Sequence, residues 1–271
     1  MTAPPVDSGL KMRVLSALVL IPIAVAAVWL GGVTFHALLA VGGLLILIEW
    51  MTLARVPQPL VIGVGALWVV LFAVLPAVVG DFDPANGLIV VLATAGLLVA
   101  VGLVLSHAAV RWIGYGVAYV GLPVLALVWL RGLDDGLALV AWVFLLVWAT
   151  DIGGYFAGRA IGGPKLAPRL SPNKTWAGLV GGMALAAVAG AAVAAVTDLA
   201  DVAVLAAASA VLAVWEQVGD ILESAVKRHF GAKDSGRLIP GHGGIMDRVD
   251  GLIFVAPAVA LGLVALGHAG E

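Results

Sequence analysis

Long apolar runs separated by short polar clusters occupy nearly the whole chain. Runs near 13–30, 34–54, 60–79, 88–105, 112–130, 137–157, 175–196, 202–222 and 251–268 each approach the ~20 residues that a helix needs to cross a bilayer's hydrocarbon. None alternates residue by residue, as the short strands of a membrane barrel would. The pattern predicts an all-α, polytopic integral membrane protein of about nine transmembrane helices. Most connections are short, and two are long: 158–174 and 223–250. Residues 11–30 have the basic start and apolar stretch of a signal peptide. With so many spans behind them, an uncleaved first helix is the expected reading.

Composition agrees, with 63% hydrophobic and only 11% charged residues. The absence of cysteine excludes disulfides, thiol redox chemistry and thiolate metal sites. The net charge of −2 says little, because placement matters more than the sum. Lys11, Arg13, Arg55, Arg111, Arg159, Lys165, Arg169, Lys174, Lys227, Arg228, Lys233, Arg237 and Arg248 fall on the side that receives the N-terminus and the even-numbered connections. The other side holds only Arg131 of the fourteen basic residues. This asymmetry predicts a cytoplasmic N-terminus, two cytoplasmic long loops and an external C-terminus.

The acids divide along the same lines. Asp81, Asp83, Asp134, Asp135, Asp198, Asp201 and Glu271 decorate the outer connections as solvated turn residues. Glu49, Asp151, Glu216, Asp220, Glu223, Asp247 and Asp250 fall at or near cytoplasmic helix ends. A carboxylate within a span costs roughly 2.5–3.5 kcal/mol, so convergence on one site at the headgroup level is the economical explanation for the group.

The densest polar segment is "KDSGRLIPGHGGIMDRVDG", residues 233–251. Asp220 and Glu223 are spaced to share one helix face before it, and Asp247 and Asp250 repeat that spacing at its end. Hard oxygen ligands without cysteine suit Mg²⁺ or Mn²⁺. Lys227, Arg228, Lys233 and Arg237, between the acidic pairs, are the usual complement for polyphosphate. The backbone of Gly243 and Gly244 can approach phosphate closely, and His242 can bind phosphate, ligate metal or simply pack. Together these features point to phosphoryl or nucleotidyl transfer. Taken singly they have plainer readings: a glycine-rich loop can merely turn the chain, and Asp247–Arg248 can be a cap and an anchor.

The other long loop repeats these themes. In "SPNKT" (171–175), Ser171 and Thr175 are placed to cap a helix whose N-terminus attracts anions, with Lys174 beside it. The bland reading, a capped helix start with an interfacial lysine, fits as well. Gly178 and Gly182 form a small-residue face for packing within the chain or, in a homodimer, between chains.

Residues 224–250, "SAVKRHFGAKDSGRLIPGHGGIMDRVD", resemble the signature of the phosphatidate cytidylyltransferase (CDP-diacylglycerol synthase) family. Its fixed positions are met by Ser224, Lys227, Arg228, Lys233, Asp234, Pro240, His242, Gly243, Gly244, Asp247, Arg248 and Asp250. A looser likeness covers 151–178, and residues 1–110 agree in hydropathy alone. They are expected to form membrane helices of unassigned role, with 111–271 as the catalytic membrane domain. One position departs: Ala177 stands where family members often carry glutamate.

The resemblance implies that CTP and phosphatidate yield CDP-diacylglycerol and pyrophosphate with a divalent metal, usually Mg²⁺. By the same resemblance Asp220 and Asp247 would hold the metal, with Glu223 and Asp250 in support. Lys227, Arg228 and Lys233 would neutralise the triphosphate. Ser171, Lys174, Thr175, Ser224, His242, Gly243, Gly244 and Arg248 would contact substrate. Expected partners are CTP, phosphatidate and membrane lipids, with no nucleic acid, at a bacterial-type inner membrane. The rival class, an ion-coupled secondary transporter, calls for acids near the bilayer midplane and a repeated half. The sequence shows neither.

Overall fold

The computed structural model describes residues 18, 21–74, 84–236, 238 and 243–267. Each of the nine apolar runs coincides, over its described residues, with a helix: α1 (Ile21–Leu30), α2 (Gly32–Leu53), α3 (Gln58–Val69), α4 (Pro84–Val104), α5 (Ala108–Gly132), α6 (Gly136–Ile161), α7 (Trp176–Val196), α8 (Val202–His229) and α9 (Met246–Ala265). Seven helices among the described residues are long and apolar enough to cross a bilayer. The protein is an all-α polytopic membrane protein. A π-helical turn, Val70–Val74, continues α3. Lys11, Arg13, Asp81, Asp83, Arg237, Pro240, His242, His268 and Glu271 lie outside the described residues.

Several boundaries differ from the sequence reading, three of them at charged ends that bear on the site. α6 runs on to Ile161 and α8 to His229, while α9 starts at Met246, before 251. Glu223, Ser224, Lys227 and Arg228 therefore stand on helix, not in a loop. The remaining stretch after α6 is also structured. Gly162 and Gly163, at φ 68° and 91°, reverse the chain into an antiparallel hairpin of β1 (Lys165–Ala167) and β2 (Ser171–Thr175). Lys165 pairs with Thr175, and the Thr175 hydroxyl then caps α7 by accepting from Gly178 N at 3.0 Å.

Packing divides the chain into two compact units, Met1–Val128 with Ala232–Val249, and Trp129–Gly231 with Asp250–Glu271. In the first, α2 is the hub. The Trp50 indole donates to Trp112 O at 2.8 Å and stacks on Tyr119 with ring centroids 4.7 Å apart. Trp68 donates to Ala40 O at 2.9 Å and lies over Gly43. In the second unit α6, α7 and α8 form one layer. A glycine seam joins α6 to α7: a Cβ on Gly182 would stand 2.9 Å from Thr150 O, and one on Gly181 would stand 2.2 Å from Ala157 Cβ. The Gly178–Gly182 face is thus occupied by the protein's own α6. Between α7 and α8, Gly190 makes room for Ser209, whose hydroxyl accepts from the Trp142 indole at 2.9 Å.

This seam predicts an asymmetry between glycines. Gly181→Val overpacks α6 against α7 and lowers stability by about 1–3 kcal/mol. Gly42→Ala, with nothing within 4 Å of its new Cβ, is neutral or slightly stabilising. Thermal unfolding in detergent measures both.

Candidate active site

In the second unit α6, β2, α8 and α9 bring charge together. Asp220 on α8 forms an ion pair with Lys174 at the end of β2. Lys174 also donates to Gln217 Oε1 at 2.9 Å, and Gln217 in turn donates to Glu216 Oε2 at 2.7 Å. Glu216 is almost fully buried beneath Gly251, where a Cβ would stand 2.9 Å from its Oε1. Asp151 on α6 and Asp250 on α9 complete the group. Glu216 lies within electrostatic reach of Asp151 and Asp250, and Asp250 of Asp220 and Asp151, while Lys174 offsets part of the charge. Asp250 accepts from Gly251 N at 3.0 Å, and the Ser224 hydroxyl lies 3.5 Å from Asp220 Oδ1.

A cavity of about 420 Å³ opens beside Lys174. Asp151, Tyr155, Arg159, Asn173, Lys174 and Gln217 supply its polar wall. Its depth comes from Gly154, Gly158 and Gly178, which line it without side chains. Its lining is more apolar than polar, carries both charge signs and leaves room for a phosphorylated headgroup or part of a nucleotide.

In the first unit, the polar segment folds around two carboxylates. Asp247 Oδ2 accepts from Ser235 N at 2.9 Å, Ser235 Oγ at 2.9 Å and Gly244 N at 3.0 Å. Glu49, only 4% exposed, accepts from Ile245 N at 3.0 Å and Met246 N at 2.9 Å. Gly243 adopts φ 89°, and a Cβ there would lie 3.0 Å from Asp247 Oδ2. These glycines make room for the protein's own carboxylates, a use that sequence alone did not suggest.

The residues singled out from sequence thus have distinct surroundings. Lys174, Asp220, Ser224 and Asp250 share the second-unit centre. Lys227 pairs with the fully buried Glu223 at 3.0 Å, one turn apart on α8. Thr175 is the buried cap of α7, and Ser171 opens β2. Arg228, Lys233 and Arg248 are exposed, Asp247 with Gly243 and Gly244 belongs to the folded loop, and His242 lies outside the described residues. Among the described residues, no three His, Asp or Glu side chains are grouped so as to hold a metal ion. Sequence reasoning passed over Ser235 and Gln217. An amide beside two acids in an apolar helix was the available signal for Gln217, whereas nothing local marked Ser235.

Anionic and cationic groups gathered beside a cavity, on helices apolar enough to span a bilayer, are the equipment of a membrane enzyme acting on phosphorylated substrates. Residues 11–266 match the cytidylyltransferase family, and the chain belongs to that family. It is 38% identical over 266 residues to a phosphatidate cytidylyltransferase of Brucella suis, covering 94% of this chain and 93% of the relative. The Bacillus subtilis relative of that name is 34% identical over 260 residues, covering 92% and 95%. One from Staphylococcus haemolyticus is 32% identical over 262 residues, covering 95% and 100%.

Lys174→Met tests the second-unit centre. It leaves Asp220 and Gln217 short of a donor and costs about 1–3 kcal/mol in thermal unfolding. Turnover is expected to fall roughly tenfold or more, because the lost ammonium faces the cavity.

Proposed function

We propose that the protein transfers the cytidylyl group of CTP to the phosphate of phosphatidate, releasing pyrophosphate and forming CDP-diacylglycerol. The observation that carries this reading is the meeting of Asp220, Asp250 and Lys174 beside a cavity with charged groups on its wall, Asp250 being a signature residue. The names of the relatives support it. A lipid-phosphate oxygen bonds to the α-phosphorus of CTP, and the bond from that phosphorus to the β-phosphate bridging oxygen breaks, with pyrophosphate as leaving group. The attacking oxygen is already anionic near neutral pH, so no general base is required.

Positioning and charge stabilisation then supply most of the acceleration. Lys174 is placed to exchange part of its contact with Asp220 for a phosphate oxygen. Ser171 and Thr175 stand on the same strand. By the family signature Lys227, Arg228 and Lys233 would neutralise the triphosphate and the departing pyrophosphate, and Ser224, Arg248 and the Gly243–Gly244 backbone would be further substrate contacts.

The donor set suits a divalent cation. Asp250 is repelled by Asp220, Asp151 and Glu216, and Mg²⁺ needs only one or two carboxylates when water and phosphate fill its remaining positions. By the family resemblance Asp220 and Asp247 would hold it, with Glu223 and Asp250 in support. Bound, Mg²⁺ or Mn²⁺ supplies charge neutralisation at the phosphates. The bacterial relatives support an inner membrane, and the Lys and Arg asymmetry supports a centre facing the cytoplasm, where CTP is available and phosphatidate presents its headgroup.

Protein in detergent micelles, which have no compartments, is expected to release pyrophosphate from CTP only with both phosphatidate and Mg²⁺ present. Release without phosphatidate overturns the proposal. Asp247→Asn is expected to lower turnover about a hundredfold at saturating Mg²⁺. Near-normal turnover would remove Asp247 from the metal site. Lys233→Ala is expected to slow the reaction most at low CTP, and an unchanged rate there contradicts its phosphate role.

A further inference from the structure

We infer that Glu49, on α2, is a positioning residue for the reaction: it clamps the signature loop and the first turn of α9, and so sets the Asp247 carboxylate. The inference rests on the proposed place of Asp247 in the catalytic machinery.

The first amides of a helix have no partner within it, and a carboxylate is a favourable acceptor there. Helices usually meet this need locally, with Ser, Thr, Asp or Asn just before the first turn. At the start of α9 those positions are Gly243, Gly244 and Ile245, none of which has a side-chain acceptor. Glu49 supplies the cap from almost two hundred residues away, with Oε1 accepting from Ile245 N and Oε2 from Met246 N. A buried carboxylate is costly unless fully hydrogen-bonded, so this one holds its donors firmly.

Two connections carry that hold to Asp247. The Ser235 hydroxyl stands 3.2 Å from Glu49 Oε2 and 2.9 Å from Asp247 Oδ2. Its one hydrogen is donated to one carboxylate or the other, so the hydroxyl is shared between Asp247 and Glu49 and couples the two. Gly244 is the second: its N–H donates to Asp247, and a Cβ on it would stand 2.5 Å from Glu49 Oε2. Gly236 is tight in the same way, with a Cβ 2.8 Å from Glu49 Oε1. The loop thus closes around the glutamate on both strands, Ser235–Gly236 and Gly244–Met246. The N-terminal helices, which carry none of the family signature, gain a function as its anchor.

Glu49→Gln tests this directly. It keeps the shape but turns an NH₂ group toward one of the two amides. Two readouts separate positioning from a general structural role. Hydrogen–deuterium exchange, followed by mass spectrometry in detergent, is expected to accelerate in peptides covering 243–250 and to stay unchanged in α7. In the pyrophosphate assay kcat is expected to drop about tenfold or more, with KM for CTP and phosphatidate within about twofold, as when a preorganised carboxylate loses its aim. Unchanged exchange at 243–250 overturns the clamp. Faster exchange with normal kcat, or a loss confined to KM, overturns the positioning role. Should Glu49→Gln fail to fold, Ser235→Ala removes the bridging hydroxyl alone and is expected to lower kcat with KM retained; a normal kcat then overturns the proposal. Wild-type protein inactive on CTP and phosphatidate would refute the functional reading instead, and the exchange result alone would decide the clamp.

Discussion

A carboxylate among apolar helices has neither water nor a neighbouring salt solution to stabilise it, so the protein must supply its donors. Much of what orders this molecule follows from that constraint. Glu49 is met by two backbone amides, Asp247 by a serine and a glycine amide, Asp220 by Lys174, Glu216 by Gln217 and Glu223 by Lys227. Apolar contact is nearly indifferent to which helices meet in lipid, because the lipid tails are equally apolar. The polar pairings are not indifferent. Lys174 with Asp220 selects how β2 sits on α8, and Glu49 selects where the loop before α9 closes.

The same demand prepares a site for anionic substrates. Groups that satisfy one another in the resting protein can exchange partners when phosphate enters, without being reoriented from solvent. Lys174 is the clearest case: it already bridges Asp220 and Gln217 on the wall of the cavity. Fixed charges of this kind act strongly because little reorganisation remains for the moment of reaction.

The helices could be read from hydropathy because the apolar runs are long and the breaks between them polar. Their polar ends could not. The last turns of α8, "ESAVKRH", carry charge on a continuing helix, and a reading that stops at charge stops too early. The start of α9 has no local cap, since its acceptor is Glu49, so no nearby residue announced it. The β1–β2 hairpin is too short, and too interrupted by Pro168 and Pro172, for alternation to mark it. The acids were visible as a group because each is costly where it stands. Their partners were not, because Lys174 with Asp220 and Glu49 with Met246 depend on tertiary approach. Glu49 itself was recognised as an acid in need of a reason, and its reason lay at the far end of the chain.

The glycine seam between α6 and α7 has a consequence for how this protein can change. Gly154, Gly158 and Gly178 belong both to the close approach of the two helices and to the lining of the cavity. Replacing helical glycine with alanine is an ordinary route to a sturdier protein. Here that route narrows the chamber as it stiffens the wall. Improvement in robustness must therefore come from elsewhere in the fold, and these three positions are held small from two sides at once.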